Sequence, residues 1–468
     1  MASVEWLARI TLDRDMPLGD QLVFHVRRGL EAGALKPGDQ IPPTRQIARE
    51  LQVARGTVVS AVETLVAEGL LESRPGAGTF VSADGALVYQ PVPEPRPNPP
   101  AIERMPPTPD MDSTERFRID LRPCRPSIDE FPVQAWARCS ALAASSAPSP
   151  DYDKGRGSET LRALLVDYLR RARGMNVRRE QLIVTNGSVH AMYLAARVAL
   201  TDGDSAVVEN PGYPLLRQTL AVAGAQVRPL DVDGEGLRTE ELPTDPSRVR
   251  IIAVTPSHQF PTGVRMSLRR RHALVQWCLE HGAWVIEDDY DGEFRYDVAP
   301  LPPMATMAPE RVIYCGTFSK TLFPGIRIGY AVAPEPLIEA MTHYRTLTEY
   351  CPPVLGQETL RHFIRLGHYD RHLLRMRRLY AKKRRKVEDV VSRLRPSAVV
   401  SGVNSGLSVV VDLVGESADE VLGRGRNVGV GAVKLQRYGS TRRNALIIGY
   451  AAPSLEQLEE GLELLFGG

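Results

Sequence analysis

Residues 312–330, VIYCGTFSKTLFPGIRIGY, decide the fold of this chain. The first four residues are apolar and lead directly into a glycine and a cluster of hydroxyl side chains around Lys320. A short apolar run of this kind predicts a strand buried inside a parallel sheet, with the polar residues at its carboxyl end. Ligands of such sheets bind at the carboxyl ends of the strands, so the lysine stands where a binding site is expected.

The side chains of this segment suit a phosphorylated carbonyl compound. Lys320 can form a Schiff base, while Thr317 and Arg327 on either side of it can hold a phosphate. Pyridoxal 5'-phosphate (PLP) needs both functions. A serine–lysine pair at a strand end is also an ordinary surface sequence, so the prediction depends on what the other strands carry.

Four further apolar runs after residue 118 end in polar clusters, and helical stretches separate them. Together the five runs predict an α/β domain with a parallel sheet, whose polar clusters converge on one pocket. The four runs and the clusters that follow them are 182–184 before TNGS, 206–208 before ENPGYP, 251–254 before TPSHQFPTG and 284–286 before EDDYD.

These clusters contain the other groups that a PLP site requires. Asp288 can pair with the pyridine nitrogen, and Tyr290 can donate to the ring hydroxyl. Gly187 and Ser188 open a helix, whose first amides bind anions, and Tyr213 can stack on a flat ring. The ordinary alternatives are a magnesium site or a solvated loop for the acids, a capped helix and a turn tyrosine. The joint occurrence of these groups in this chain order favours the cofactor.

The composition is that of a globular protein of about two to four domains. Of the 468 residues 43% are apolar and 24% charged, and 58 basic against 56 acidic side chains give a formal net charge of +2. These values exclude a disordered chain and a uniformly polybasic nucleic-acid binder. The five cysteines are far apart, which argues against zinc or disulfides, and no signal peptide or transmembrane segment is evident. We expect a cytoplasmic protein without a membrane partner.

Residues 1–82 predict a small helical domain that ends in a hairpin. Leu22 and Leu30 share one helical face, and TRQIARELQV and ARGTVVSAVETLVAEGLL then predict two helices joined by a short turn at residues 54–56. This is helix-turn-helix spacing. The segment LLESRPGAGTFVS adds a strand, a turn with Arg74 at its tip and a second strand, which is the layout of a winged helix-turn-helix of α+β type.

Residues 83–118 are rich in proline and separate the two sequence patterns. Closely spaced prolines remove amide donors and favour extended polyproline II structure. They predict a semi-rigid linker between a domain of residues 1–82 and a domain of residues 119–468. A buried edge loop is the alternative.

DNA recognition requires donors aimed at phosphates and base edges, not a high total charge. Residues 1–82 contain nine Lys and Arg against ten Asp and Glu, so the placement of the positive charges matters more than their number. Arg45 opens the first helix of the pair, Arg55 opens the recognition helix with Thr57 close behind it, and Arg74 is on the wing. Ion pairs with Glu50 or Glu63 and a plain hairpin are the alternatives.

Two families share these patterns. From about residue 120 to 465 the chain is similar to the fold-type I aminotransferases, whose cofactor residues follow the order found here. Residues 1–82 resemble the GntR-type winged helix over PPTRQIARELQVARGTVVSAVETLVAEGLLESRPGAGTFV. The combination resembles the MocR/GabR subfamily of bacterial transcriptional regulators, for which HQFPTG and EDDYDGEFRY are typical wordings.

The resemblance implies a role for each candidate residue and a homodimer with head-to-tail exchange of domains. It assigns the aldimine with PLP to Lys320, the pyridine nitrogen to Asp288, the ring oxygen to Tyr290 and the stacking ring to Tyr213. The implied phosphate ligands are Gly187, Ser188, Thr317 and Arg327, together with Tyr152 lent by the partner subunit. The implied DNA contacts are Arg45, Arg55, Thr57, Arg74 and Thr79.

Some positions depart from the aminotransferase pattern. Phe260 stands before PTG, where the enzymes usually have an asparagine that donates to the ring oxygen, so Gln259 or His258 substitutes or Tyr290 acts alone. Ile447 stands where the enzymes place an arginine for the carboxylate of an amino acid. An isoleucine side chain cannot make the two parallel hydrogen bonds that a guanidinium donates to a carboxylate.

Nearby arginines are candidates to replace the lost one. Arg442 or Arg443 can swing in or remain solvated. Arg125 occupies a place before a proline where the family tends to have glycine, and it is either an alternative anion ligand or a surface arginine.

These departures favour a PLP-dependent DNA-binding regulator over an aminotransferase with an accessory DNA-binding domain. We expect the effector to be PLP itself or an amine, sensed through the aldimine at Lys320. An α-amino acid held by its carboxylate fits less well, and full transamination is not expected, although slow partial reactions remain open.

Overall fold

The computed structural model describes residue 6 and residues 10–84, 115–146, 151–152, 155–296 and 301–467. The chain divides into two compact units, Met1–Met105 and Pro106–Gly468. Most of the proline-rich segment, residues 85–114, lies outside the described residues. No helix within the described ranges is long and apolar enough to cross a membrane.

The first unit is a winged helix built around one apolar core. Buried residues of the helices given below, among them Leu22, Val58 and Leu65, form that core together with Val81 of the wing. The strands pair antiparallel in the order β1-β3-β2. The elements are α1 (Leu18–Glu31), β1 (Gln40–Ile41), α2 (Thr44–Glu50), α3 (Arg55–Ala67), β2 (Leu71–Arg74) and β3 (Gly78–Val81).

The turn of the helix pair lies earlier than the sequence predicted. It occupies residues 51–54 instead of 54–56, and Gly56 is already inside α3. Gln52 adopts a left-handed backbone with φ 53°, which reverses the chain, and Ala54 is extended and caps the next helix. The four-residue turn therefore contains no glycine. Gly56 was wrongly taken as part of the turn, because glycine is common in turns.

The second unit is an α/β domain whose main sheet has the strand order β5-β12-β11-β10-β9-β6-β7-β8. The strands of this unit are β4 (Ile119–Asp120), β5 (Leu182–Thr185), β6 (Ser205–Asn210), β7 (Gln226–Asp233), β8 (Gly236–Leu237), β9 (Val249–Val254), β10 (Trp284–Asp289), β11 (Val312–Thr317), β12 (Gly329–Val332), β13 (Val399–Ser401), β14 (Ser408–Asp412), β15 (Val430–Gly431), β16 (Val433–Lys434) and β17 (Ala445–Gly449).

Helices cover both faces of this sheet and extend to a second, smaller sheet. The small sheet is antiparallel with the order β13-β14-β17-β16, and β15 pairs with β4. The helices are α4 (Val133–Ala144), α5 (Glu159–Arg173), α6 (Ser188–Ala199), α7 (Pro214–Val222), α8 (Leu268–His281), α9 (Glu335–Glu349), α10 (Leu355–Arg365), α11 (His368–Leu394), α12 (Ala418–Asn427) and α13 (Leu455–Phe466).

All five apolar runs named from the sequence are strands of the main sheet. β9 pairs parallel with β10 and β6, and β10 pairs parallel with β11. Alternate residues of these strands pack on opposite faces. Ile251, Ile286 and Ile313 face α6, α7 and α9, whereas Ile252 and Val285 face α5, α8 and α11. The predicted α/β sheet is confirmed.

Three strands of the sheet, β7, β8 and β12, were not predicted, and β12 matters most for the site. β12 is antiparallel and lies between β11 and β5, so it returns the chain from the carboxyl edge directly after the lysine segment. In this position the backbone at Gly329 lies very close to the backbone at Gly187 and at Gly316. A Cβ atom built at Gly329 would lie 2.6 Å from the carbonyl carbon of Gly187 and 2.8 Å from the carbonyl oxygen of Gly316.

We expect Gly329→Ala to destabilise the second unit, because the added methyl group meets backbone that cannot move aside independently. The expected loss is about 1–3 kcal/mol of the free energy of unfolding. Urea unfolding followed by circular dichroism measures it. Gly325→Ala is the control, since a Cβ at Gly325 meets only the Phe323 side chain, at 3.8 Å. Equal stability of the two variants would contradict this account of β12.

Candidate functional site

The polar clusters of the five predicted strands meet at the carboxyl edge of the sheet. Arg327, after β11, donates to the carbonyl of Asn186, after β5, over 2.7 Å. Gln259, after β9, donates to the carbonyl of Pro211, after β6, over 2.9 Å. The hydroxyl of Tyr290, after β10, lies 3.0 Å from Nδ1 of His258, which also follows β9. The candidate residues therefore form one site.

Lys320 reaches the site from the segment after β11. Its Nζ donates to the carbonyl oxygen of Cys124 over 3.0 Å. Cys124 has a left-handed backbone, with φ 64°, so the conformation that favours glycine occurs here and not at Arg125. Arg125 lies 3.4 Å from Asp120 in an ion pair, which places a carboxylate beside the guanidinium that the sequence offered as an anion ligand.

Asp288 is a buried carboxyl group in need of a partner. Only 3% of the residue is exposed, and Oδ1 has no hydrogen-bond partner among the described residues. Burial raises the pKa of Asp288 well above its usual value, and the neighbouring Asp289 and Asp291 add to the shift. Because a protonated pyridine nitrogen is both a cation and a hydrogen-bond donor, it would satisfy this group, so the residues present fit the ring of PLP.

A second part of the site suits a phosphate. Gly187 precedes α6 with φ 88°, and a Cβ there would lie 2.8 Å from the guanidinium of Arg327. Ser188 is the first residue of α6, where free amides and the helix dipole favour an anion. Thr317 ends β11 and its hydroxyl accepts from the amide of Ser319, whose own buried hydroxyl has no partner in the described part of the chain. These groups fit the phosphate of PLP.

Aromatic side chains line another side of the site. Phe260 is 5% exposed, and its ring centroid is 5.9 Å from that of Tyr213 and 6.0 Å from that of Tyr290, both edge-on. The ring of Tyr438 is also edge-on to that of Phe260, at 4.8 Å between centroids. The phenyl ring thus packs between the predicted stacking tyrosine and the predicted hydroxyl donor, where an asparagine side chain could not fill the same space.

Gln259 is not available to replace the lost asparagine. Its amide nitrogen donates to the carbonyls of Pro211 and Phe260, and its oxygen accepts from the amide and the hydroxyl of Thr262. Every polar atom of the side chain is already used in holding the loop. Of the alternatives raised by the sequence, His258 and Tyr290 remain.

His258 and Tyr290 form a chain of contacts with a buried acid. Nδ1 of His258 is 2.8 Å from Oδ2 of Asp291 and 3.0 Å from the hydroxyl of Tyr290. A single ring nitrogen cannot donate to the carboxylate and accept from the hydroxyl at once. If Nδ1–H donates to Asp291, the hydroxyl proton of Tyr290 is left to point at another acceptor, as a donor to the ring oxygen of PLP must.

The position expected to hold an effector carboxylate is apolar and closed. Ile447 lies in β17, fully buried in a small cluster with Val410 and Leu435. Arg443 makes two bonds to the carboxylate of Asp412 and one to Ser401, so its guanidinium is held on the small sheet. Arg442 is exposed.

Tyr152 lies at the surface, where a residue lent to another subunit has to be. It is 72% exposed, and its ring is edge-on to that of Tyr350, at 4.5 Å between centroids. Its assignment to the phosphate of a neighbouring subunit stays a prediction.

The predicted DNA contacts lie on the exposed side of the winged helix. Arg45 and Arg55 are exposed at the first turns of α2 and α3. Neither forms an ion pair within the described ranges, and Glu50 accepts instead from Gln46. Thr57 is half-buried on the first turn of α3.

The wing carries the other two predicted contacts. Arg74 ends β2, pairs with Glu72 and lies over the ring of Phe80, 4.7 Å from its centroid. Thr79 is in β3, with its hydroxyl 3.4 Å from that of Ser73. The hairpin of the wing is formed as predicted, and its contact with DNA stays a prediction.

Some functional groups were not assigned from the sequence. The carbonyl of Cys124 and the ring of Tyr438 come from loops distant in the chain, and no local pattern identifies them. Asp291 stands in the quoted motif EDDYD, next to Tyr290, so its position was visible while its contact with His258 was not.

Comparisons with known proteins agree with this geometry. The family described as "Aminotransferase class I and II" matches residues 126–465, and "Bacterial regulatory proteins, gntR family" matches residues 18–81. The structure of LysN, the alpha-aminoadipate aminotransferase of Thermus thermophilus complexed with N-(5'-phosphopyridoxyl)-L-leucine, has a TM-score of 0.70, with 25% identity over 79% of this chain and 96% of its own. Fold and site together define a DNA-binding transcriptional regulator with an aminotransferase-like domain whose cofactor is PLP.

Relatives of similar length carry the same two parts. The probable rhizopine catabolism regulatory protein MocR of Rhizobium meliloti is 36% identical over 97% of this chain and 94% of its own. The pyridoxine biosynthesis transcriptional regulator PdxR of Corynebacterium glutamicum is 33% identical over 92% and 91%. The chain belongs to the MocR subfamily of GntR-type regulators.

Glu209 should make stability depend on pH. Burial raises its pKa to about 7, although Thr255 and Gln259 donate to it. The folded protein then holds a proton that the unfolded chain releases near the usual glutamate pKa of 4.5, so the free energy of unfolding should fall as pH rises from about 4.5 to about 7. The contribution of this group is about 3 kcal/mol at most.

Glu209→Gln should reduce that slope, because a glutamine carries no proton to lose. Urea unfolding at the two ends of this pH range measures it. Exposed Glu280→Gln is the matched control and should keep the wild-type slope. An unchanged slope in Glu209→Gln would show that this carboxyl is ionised in the folded protein throughout the range.

Proposed function

We propose that this protein regulates transcription by binding an operator through residues 1–82 and sensing PLP, or an amine that reacts with it, through Lys320. The observation that carries the proposal is the buried carboxyl of Asp288. One of its oxygens has no hydrogen-bond partner in the part of the chain that the structure describes, and Lys320 is among the charges that act on it. A regulator that only needed the aminotransferase fold as a scaffold would not need to keep this costly buried acid.

Each candidate residue has a defined task in this proposal. When bound, PLP supplies an electrophilic carbon that can be transferred between amines. Lys320 holds that carbon, Asp288 holds a proton at the pyridine nitrogen, and Tyr290 donates its proton to the ring oxygen. Tyr213 supports the ring, while Gly187, Ser188, Thr317 and Arg327 hold the phosphate together with Tyr152 from a second subunit.

The small-molecule effector is proposed to be PLP or an amine, not an α-amino acid held by its carboxylate. Support comes from Ile447, which offers no charge where an arginine would bind a carboxylate, and from Arg443, which is committed to Asp412. The name of one relative refers to pyridoxine biosynthesis, which suits an effector of the PLP kind.

We further propose that the protein acts in the cytoplasm as a homodimer. The exposed Tyr152 supports a site completed by a second subunit. Residues 83–118 serve in this proposal as the linker between the DNA-binding domain and a domain of residues 119–468, with head-to-tail placement of the domains in the dimer. Full transamination is not part of the proposal.

The cofactor should change how the protein binds its own upstream DNA. Purified protein is tested on that DNA with and without PLP, by footprinting and by affinity, with Lys320→Ala as the control variant. We expect PLP to shift affinity or footprint in the wild type and not in Lys320→Ala, because only the lysine can hold PLP covalently. Specific binding that ignores PLP would point to an amine effector. Steady turnover of an amino acid with a keto acid, without specific DNA binding, would support the enzyme instead.

Recognition of the operator should depend on Arg55. Arg55→Ala removes a guanidinium from the first turn of α3, and loss of one base or phosphate contact of this kind costs about 1–3 kcal/mol, or roughly tenfold to a hundredfold in affinity. Arg27→Ala, which breaks an ion pair between α1 and Glu68, is the control. Operator affinity is measured at fixed salt. If both variants bind like the wild type, Arg55 is not a DNA contact.

A further inference from the structure

A second cavity lies on the other side of β10 from Asp288. Asp289 follows Asp288 in this strand, so its side chain points to the opposite face of the sheet, where Nε of Arg173 donates to it over 2.8 Å. Arg173 also lines a cavity of 490 Å³, a size typical of small-molecule sites. The cavity lies between the end of α5, the segment after β10 and the start of α11. Its charged walls are four arginines, Arg171, Arg173, Arg295 and Arg377, and two acids, Glu293 and Asp370.

Positive charge exceeds negative charge in this cavity. Arg173 is compensated, because it bonds to Asp289 and to Glu293, each at 2.8 Å. Arg171 lies 3.7 Å from Asp370 at the exposed rim. The other two arginines have no carboxylate of their own within the described ranges. Arg377 donates to the backbone carbonyl of Glu293, and the side chain of Arg295 has no hydrogen-bond or ion-pair partner there.

Arg295 is held in an unfavourable position for a cation. Burial lowers its pKa, the positive charge of Arg173 lowers it further, and the negative charges of Asp289 and Glu293 offset only part of this shift. A bound anion would offset both effects. Arg295 is half-buried and Arg377 is exposed, and both line the same cavity. Two guanidinium groups in this arrangement can make bidentate, charge-assisted bonds to a planar carboxylate or to a phosphate.

We propose that this cavity is a second ligand site, which binds a small organic anion through Arg295 and Arg377. The class of ligand is a carboxylate or a phosphate ester. The site is separate from the cofactor pocket, and the proposal does not depend on the roles given above to Lys320 or to the DNA-binding residues. It also gives the second unit a place to recognise a negatively charged ligand other than the cofactor, which the position of Ile447 does not offer.

The test uses the full-length protein loaded with PLP, so that the phosphate position of the cofactor is filled. Inorganic phosphate and succinate are titrated separately by isothermal titration calorimetry. We expect saturable binding of at least one probe with one site per chain. Binding of phosphate alone identifies a phosphate ester as the class of ligand, and binding of succinate alone identifies a carboxylate.

Arg295→Gln should weaken the bound probe by about tenfold or more, because it removes a charge-assisted bond. Arg269→Gln is the control, since this arginine is exposed and pairs with Glu235 outside the cavity. If Arg295→Gln does not fold, as judged by its melting curve, Arg377→Gln replaces it under the same criterion. Absence of saturable binding to the wild type, or equal binding by the cavity variant and the wild type, would overturn the proposal.

Discussion

The buried ion pair of Arg173 with Asp289 holds the end of β10, and the site on the other face of the strand depends on it. Burial opposes the ionisation of Asp289, but the positive charges of Arg173 and Arg295 outweigh it, so the pKa of Asp289 is lowered. Removing one member of such a pair leaves an uncompensated buried charge and costs about 3–5 kcal/mol. The arginine therefore fixes both the position of the strand end and the charge state of its last residue.

Two neighbouring aspartates thus have opposite properties because they face opposite sides of one sheet. Asp289 is ionised and paired, whereas the pKa of Asp288 is raised by burial and by the negative charges beside it. Asp289 stabilises the fold. Asp288 is instead available to bind a cationic group that comes from outside the protein. Environments that push the pKa values of adjacent acids apart are a common mark of a functional site.

The sequence predicted the winged helix, the five parallel strands and the convergence of their polar ends, because these follow from local periodicity and from the geometry of parallel sheets. It did not predict β12, whose four residues contain a glycine and stand too close to the lysine segment to give a separate apolar run. The sequence also did not predict the contacts of Gln259 and His258. Both residues stand in one motif with similar polarity, and only the folded loop shows that Gln259 is fully bonded while His258 reaches Tyr290. The turn before α3 was also predicted at the wrong residues. Its left-handed backbone conformation occurs at Gln52 and not at a glycine, so the sequence pattern did not reveal it.

The antiparallel return of β12 has a consequence for how this domain can change during evolution. Lys320 and Arg327 stand on the single connection between β11 and β12, and both ends of that connection are fixed by pairing in the sheet. The distance between the two groups is therefore set by the number of residues between them. Substitutions within residues 321–326 can alter the properties of the site gradually, but an insertion or deletion there would move one anchor relative to the other. Descendants of this chain can thus diverge in what they sense while the length of this connection stays constant.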